Sequence, residues 1–220
     1  MKEKLTKAWL SCWLYVITLI SGAILGLLFA NRHSWDLQTK VFAIATALLP
    51  IHVLEEWHFP GGFHVMYNLM SGSEDVHRYP MNQLSDMWTN FIGVVFGCAV
   101  LIAGVRPLFL VMQLFLCLME VAGHAVSGAR FMKKRYGRIY NPGLATTLLG
   151  YVPVAAAIVY IFVAIESPTL GEILLGLLCG AILGGFSLKG VEAICKSREM
   201  PYGYTWGEGY FRRFREGDNP

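Results

Sequence analysis

One short stretch combines residue types that do chemistry with a setting in which they are costly. His52, Glu55 and Glu56 close an apolar run that starts near Val41 and ends at Trp57-His58-Phe59-Pro60-Gly61-Gly62-Phe63. The run is about as long as a bilayer-crossing helix needs to be. An ionisable side chain at that depth costs on the order of 2.5–3.5 kcal/mol unless it is paired, protonated or metal-bound, so three together point to a function. On a helix, His52 and Glu56 are four residues apart and project from one face, with Glu55 beside them. Farther along, Glu120 and His124 repeat the four-residue spacing inside another apolar run. Gln113, Glu120, His124 and Ser127 form a polar stripe on that second helix, which should face the bundle interior.

The chemistry of these residues is first that of a metal ligand set. A His and a carboxylate four apart on a helix can share one ion, as in zincins and their inverted H-x-x-E-H relatives. By that analogy His52, Glu56, Glu120 and His124 are ligands and Glu55 is the base. Bound water would then ionise near neutral pH, which suits hydrolysis. Two imidazoles with the carboxylates Glu55, Glu56, Glu120 and Asp86 also match the composition of a two-metal helical site, although the spacing differs from Glu-x-x-His. That site would favour redox or oxygen chemistry on a lipid-like substrate. Without metal, the same buried groups could serve a proton- or ion-coupled transporter, or form satisfied structural pairs. His58, Asp86, Asn90, Tyr140 and Asn141 are supporting or substrate-contacting candidates. Asp86 and Asn90 also suit a helix start, and Tyr140-Asn141 a turn. His64 and His77 fall in a loop and are expected to be solvated.

The elements that must position these groups are membrane helices. Hydrophobic residues make up 55% of the 220, and charged residues 15%, against about 25% charged in soluble domains. The mean hydropathy is +0.49. Apolar runs near 8–30, 38–58, 84–105, 106–130, 143–165 and 170–194 predict an all-α polytopic bundle of six transmembrane helices. The first run is too long for a signal-peptide core and is read as a retained helix, with Trp9 and Trp13 as interfacial anchors. A short amphipathic piece is expected near 62–70. Residues 1–196 form the membrane domain and 197–220 a polar, aromatic, basic tail.

Of the 18 Lys and Arg residues, 15 fall on the side that holds both termini, loop 59–83 and loop 130–142. Arg32, Lys40 and Arg106 fall on the other. The asymmetry makes both termini cytoplasmic and puts the polar groups of helices two to five in the cytoplasmic leaflet. It also accounts for the 130–138 basic cluster, together with contact to anionic membrane lipid. A net charge of +3 does not call for nucleic acid. The five cysteines show no disulfide or zinc-finger spacing.

H-x-x-E-E followed by F-P-G-G-F, then Glu120 and His124 on a later helix and Y-N-P-G at 140–143, resembles the HXXEE-motif family of integral membrane proteins. The resemblance covers roughly residues 48–150. It implies that these residues matter and names no reaction. Taken together, the chain reads as a membrane protein with a buried divalent-metal site, zinc favoured and iron or manganese the alternatives. It would act, hydrolase-like, on a lipophilic or interfacial small molecule, in a prokaryotic plasma (inner) membrane. Loop 59–83 would be the lid or substrate entrance.

Overall fold

The computed structural model describes residues 2–199, 201–204 and 206–214. Met1, Met200, Thr205 and residues 215–220, which include Arg215 and the end of the expected tail, lie outside the described residues. The described chain is helical, with no strand among these residues. Six helices are long and apolar enough to cross a membrane. They are α1 (Lys2–Ala30), α2 (Leu37–Trp57), α4 (Gln83–Ala103), α5 (Pro107–Tyr136), α6 (Leu144–Ala164) and α7 (Leu170–Cys195). The short α3 (Phe63–Met70) stands where the amphipathic piece was expected. An integral membrane protein follows from six such helices.

The starts of these helices are written in their caps. Asp36 accepts from the Thr39 amide at α2, and Asn82 and Ser85 form a capping box at α4. Thr169 and Glu172 form another at α7. Pro107 opens α5, where its missing N–H costs nothing. Helix α2 is the most enclosed of the six and packs against α1, α4, α5 and α6. One core, built on Phe42, Leu110, Met112, Ile158 and Ile161, lies between α2, α5 and α6. A second, built on Trp13, Ile17, Val53, Trp57 and Val94, lies between α1, α2 and α4.

Trp13 belongs to this second core. It is fully buried, edge-on to Trp57 with ring centroids 5.7 Å apart, and so is not an interfacial anchor. Trp9 is 40% exposed.

The segment after α2 and the C-terminal tail close one end of the bundle together. Asn68 is completely buried; it donates to the Val76 and Met81 carbonyls and accepts from the Met81 amide, which pins residues 71–82. The tail docks on that segment: the Tyr204 amide donates to the His77 carbonyl and the Tyr210 amide to that of Gly61. Gly62 has φ +96°, and a Cβ there would stand 2.3 Å from the Glu208 carbonyl oxygen. The F-P-G-G-F turn thus uses glycine both for its backbone and for the approach of the tail.

Two histidines of this segment depart from the expected solvation. His64 is 3% exposed, stacked on Tyr204 at 4.0 Å, and its Nε2 has no hydrogen-bond partner. His77 is half-buried, with Nε2 3.3 Å from Glu208. Burial, with His77 adding to it, pushes the His64 pKa down to about 3. The unfolded chain binds that proton near pH 6.5, so His64 contributes full stability above 6.5 and loses it as pH falls toward 3. Between pH 6.5 and 5, wild type should lose about 1.6 kcal/mol relative to His64→Phe, with the slope steepening toward about 1.4 kcal/mol per pH unit at the acid end. Parallel thermal-unfolding curves of the two proteins across that window would show it; identical pH slopes would refute it.

Candidate metal centre

Four side chains from two helices meet at one point. His52 Nε2 lies 3.4 Å from Glu56 Oε1 and 3.4 Å from Glu120 Oε2. His124 Nε2 lies 3.3 Å from the same Glu56 oxygen and 3.5 Å from the same Glu120 oxygen. The four atoms form a ring in which each nitrogen faces two oxygens and each oxygen two nitrogens. Ligand atoms of His52, Glu120 and His124 lie within 4.8 Å of one another. The His52, Glu56 and His124 side chains are 3–7% exposed, and Glu120 is 33% exposed on the cavity side.

The other ring nitrogens determine what this arrangement can hold. Asn141 Nδ2 donates to the His124 carbonyl at 3.0 Å, so Asn141 Oδ1, 2.9 Å from His124 Nδ1, is the acceptor. His124 therefore carries its proton on Nδ1. The Thr146 hydroxyl donates to Glu55 Oε2 at 2.6 Å, so it accepts from His52 Nδ1 at 2.7 Å. In their neutral form both imidazoles turn a bare Nε2 lone pair toward two carboxylates. That is the orientation a metal-binding histidine takes when its other nitrogen is anchored. Ligand atoms around a tetrahedral ion at 2.0–2.1 Å lie about 3.3–3.4 Å apart; the four N···O separations are of that size, and His52, Glu120 and His124 form the group whose ligand atoms all lie within 4.8 Å of one another. The donor set, two imidazoles and two carboxylates, fits a divalent cation.

Local backbone structure positions these ligands. Residues Val121–Gly128 of α5 are wound as a π-helix, which carries His124, and Thr147–Tyr151 of α6 is a second π segment beside it. Such bulges often mark functional sites because they re-aim side chains without ending the helix. The His52 ring stands edge-on to those of His124 (4.8 Å) and Tyr151 (5.2 Å). Gly143 packs against both imidazoles. It has φ +96°, and a Cβ on it would lie 2.3 Å from the His124 ring and 2.8 Å from that of His52. Gly143→Ala should therefore cost at least about 1–3 kcal/mol from backbone strain alone and push the two rings apart. Lower thermal stability together with lost metal retention would bear this out; an unchanged protein would not.

Glu55 does not stand where a base would. Its carboxylate accepts from the Tyr140 hydroxyl (2.8 Å), the Ala145 amide (3.0 Å), the Thr146 amide (2.7 Å) and the Thr146 hydroxyl (2.6 Å). It occupies the positive N-terminus of α6 and satisfies amides left free there. The carboxylate expected as a base is engaged by four donors, and the Thr146 hydroxyl among them also lies 2.7 Å from His52 Nδ1. The reason is geometric: adjacent helical residues point about 100° apart, so Glu55 and Glu56 face different neighbours.

Among the remaining candidates, Tyr140 and Asn141 both reach the centre at one remove, through Glu55 and His124. Asp86 is 4% exposed and lines the cavity that contains the four ligands. Asn90 Nδ2 donates to Asp86 Oδ1 at 3.2 Å, while Asp86 Oδ2 and the Trp57 indole N–H, which interact, fall short of a closed hydrogen bond. His58 is not brought in: its Nε2 sits 3.1 Å from the Tyr15 hydroxyl, and it stacks on Tyr15 and Trp206. Thr146 and Tyr151 join the site from outside the sequence motifs, whereas Gly143 closes the Y-N-P-G motif. Thr146 lies three residues past the Y-N-P-G turn, the only local signal it carries.

Fold and site together define a six-span helical membrane protein with a buried His/Glu cluster able to hold a metal ion. The chain belongs to the family described as "Protein of unknown function with HXXEE motif", whose model matches residues 43–158, slightly more than half of the chain. The match contains both ligand pairs and the Y-N-P-G turn. No curated protein and no solved structure matches the chain.

Proposed function

We propose that the protein is a metal-dependent membrane hydrolase. One divalent ion, zinc favoured, would be held by His52, Glu56, Glu120 and His124 near the cytoplasmic leaflet of a prokaryotic plasma membrane, with both chain termini in the cytoplasm. The observation that carries the reading is the pair of Nε2 lone pairs, each with its Nδ1 proton committed elsewhere, turned toward two carboxylates. One centre of four donors favours a single ion over two, because Glu55 is withdrawn from it. The ion would supply a hydroxide near neutral pH and polarise a carbonyl. Glu120, the most exposed of the four, is the ligand that can yield room to substrate. Asp86, with one oxygen short of a closed hydrogen bond in the same cavity, takes the place of Glu55 as the proton acceptor.

The test is metal content of detergent-purified protein, without chelators and after reloading. About one zinc per chain supports the reading. Two irons or manganese ions per chain would move it to redox chemistry, and no metal at all would put proton-coupled transport in its place. Asp86→Asn should retain the ion and lose about 10²–10⁴-fold in turnover, read as fatty-acid release from a panel of lipid esters and amides. Undiminished turnover would remove Asp86 from the mechanism.

A further inference from the structure

The metal-site cavity, about 240 Å³, is not isolated. A second cavity of about 160 Å³ lies deeper between α2, α4, α5 and α7. Leu49, Thr89, Asn90, Met119, Glu120 and Leu188 line both, so the two share a wall at the level of the ligands. The inner chamber continues to Phe42, Phe96 and Met112. Phe42 precedes His52 by ten residues, about 15 Å along the helix.

Four polar side chains on the inner wall donate within the protein. The Thr46 hydroxyl donates to the Phe42 carbonyl, that of Thr89 to Ser187, that of Ser187 to Leu183, and the Gln113 amide to Cys117 Sγ. Asn90, Gln113, Glu120 and Tyr151 also line the chamber, and the rest of its wall is mainly hydrocarbon. A ligand that turned polar groups to that hydrocarbon would leave them unpaired, at a cost of several kcal/mol per group. The chamber is also narrow. Gly93 and Gly97 hold α4 so close to α2 that a Cβ would stand 2.8 Å from Leu49 and 2.5 Å from Thr46.

From the shared wall, the apolar lining and the narrow width, we infer that the substrate is a single-chain acyl lipid. The part of its hydrocarbon chain next to the head lies in the inner chamber, about 160 Å³ and so room for only part of a long chain, and its carbonyl sits among His52, Glu56, Glu120 and His124. The position of the carbonyl rests on the metal-site reading; the position of the chain rests on the chamber alone. The volume leaves no room for a second chain beside the first.

The experiment is photolabelling of the full chain in detergent with a 16-carbon fatty acid carrying a diazirine near the middle of its chain, followed by peptide mapping. The same labelling is run on metal-depleted protein. Saturable label on Phe42, Phe96 or Met112, competed by unlabelled palmitate and reduced at least tenfold by metal removal, supports both parts. Equal chamber labelling with and without metal supports the chain's position and overturns the placement of its head at the ion. Label confined to outward-facing residues such as Ile102, Leu149 and Val163, which are 81–88% exposed, overturns the inference even in a protein that holds one zinc per chain.

Discussion

Replacing both His52 and His124 with alanine should take bound metal from about one ion per chain to less than a tenth. The two imidazoles supply half the donor set and its only neutral ligands. Without them, Glu56 and Glu120 remain as two carboxylates in an apolar surround with no counter-charge. Breaking a buried pair by removing one partner costs about 3–5 kcal/mol, so the variant should also unfold at lower temperature. Wild type stripped by a chelator should show the same direction of change, and adding metal back should restore only the wild type. Plasma mass spectrometry and thermal unfolding of the same preparations give both readouts. A double variant that keeps its ion would mean that the ion sits elsewhere.

Glu55→Gln should weaken metal binding about 10–100-fold and destabilise the protein, with activity falling in step with metal occupancy. The carboxylate takes four donated hydrogen bonds on its two oxygens. An amide puts an NH2 group opposite one pair of those donors, leaving buried N–H or O–H groups unpaired at about 1–3 kcal/mol each. The loss propagates because the Thr146 hydroxyl keeps only the longer bond to the Gly143 carbonyl, 3.2 Å, and holds His52 Nδ1 less firmly. Groups that orient a metal-bound histidine in this way are worth about 10–100-fold in affinity. A competition titration against a chromophoric chelator measures the affinity, and activity at saturating metal separates the two roles. Lost turnover with unchanged affinity would return Glu55 to the role of base.

The contrast between Glu55 and Glu56 marks how far the amino-acid sequence reaches. The six spans, the amphipathic α3 and the pairing of His52 with Glu56 and of Glu120 with His124 were legible because each depends on neighbours within a turn or two. Run length sets a span, and a four-residue separation sets a shared face. That the two pairs would meet also followed from the alternating direction of successive spans.

What the tertiary structure alone decided depends on which distant group fills the space beside each face. Glu55 is engaged by donors because the N-terminus of α6, ninety residues away, brings amides and a hydroxyl to it. Thr146 became a site residue because it lies between α2 and α5, and nothing in its own neighbourhood of sequence announces that. Trp13 and His64 are buried because Trp57 and the returning tail cover them. In each case helical periodicity assigned a direction to the side chain, and only long-range packing determined what it would meet there.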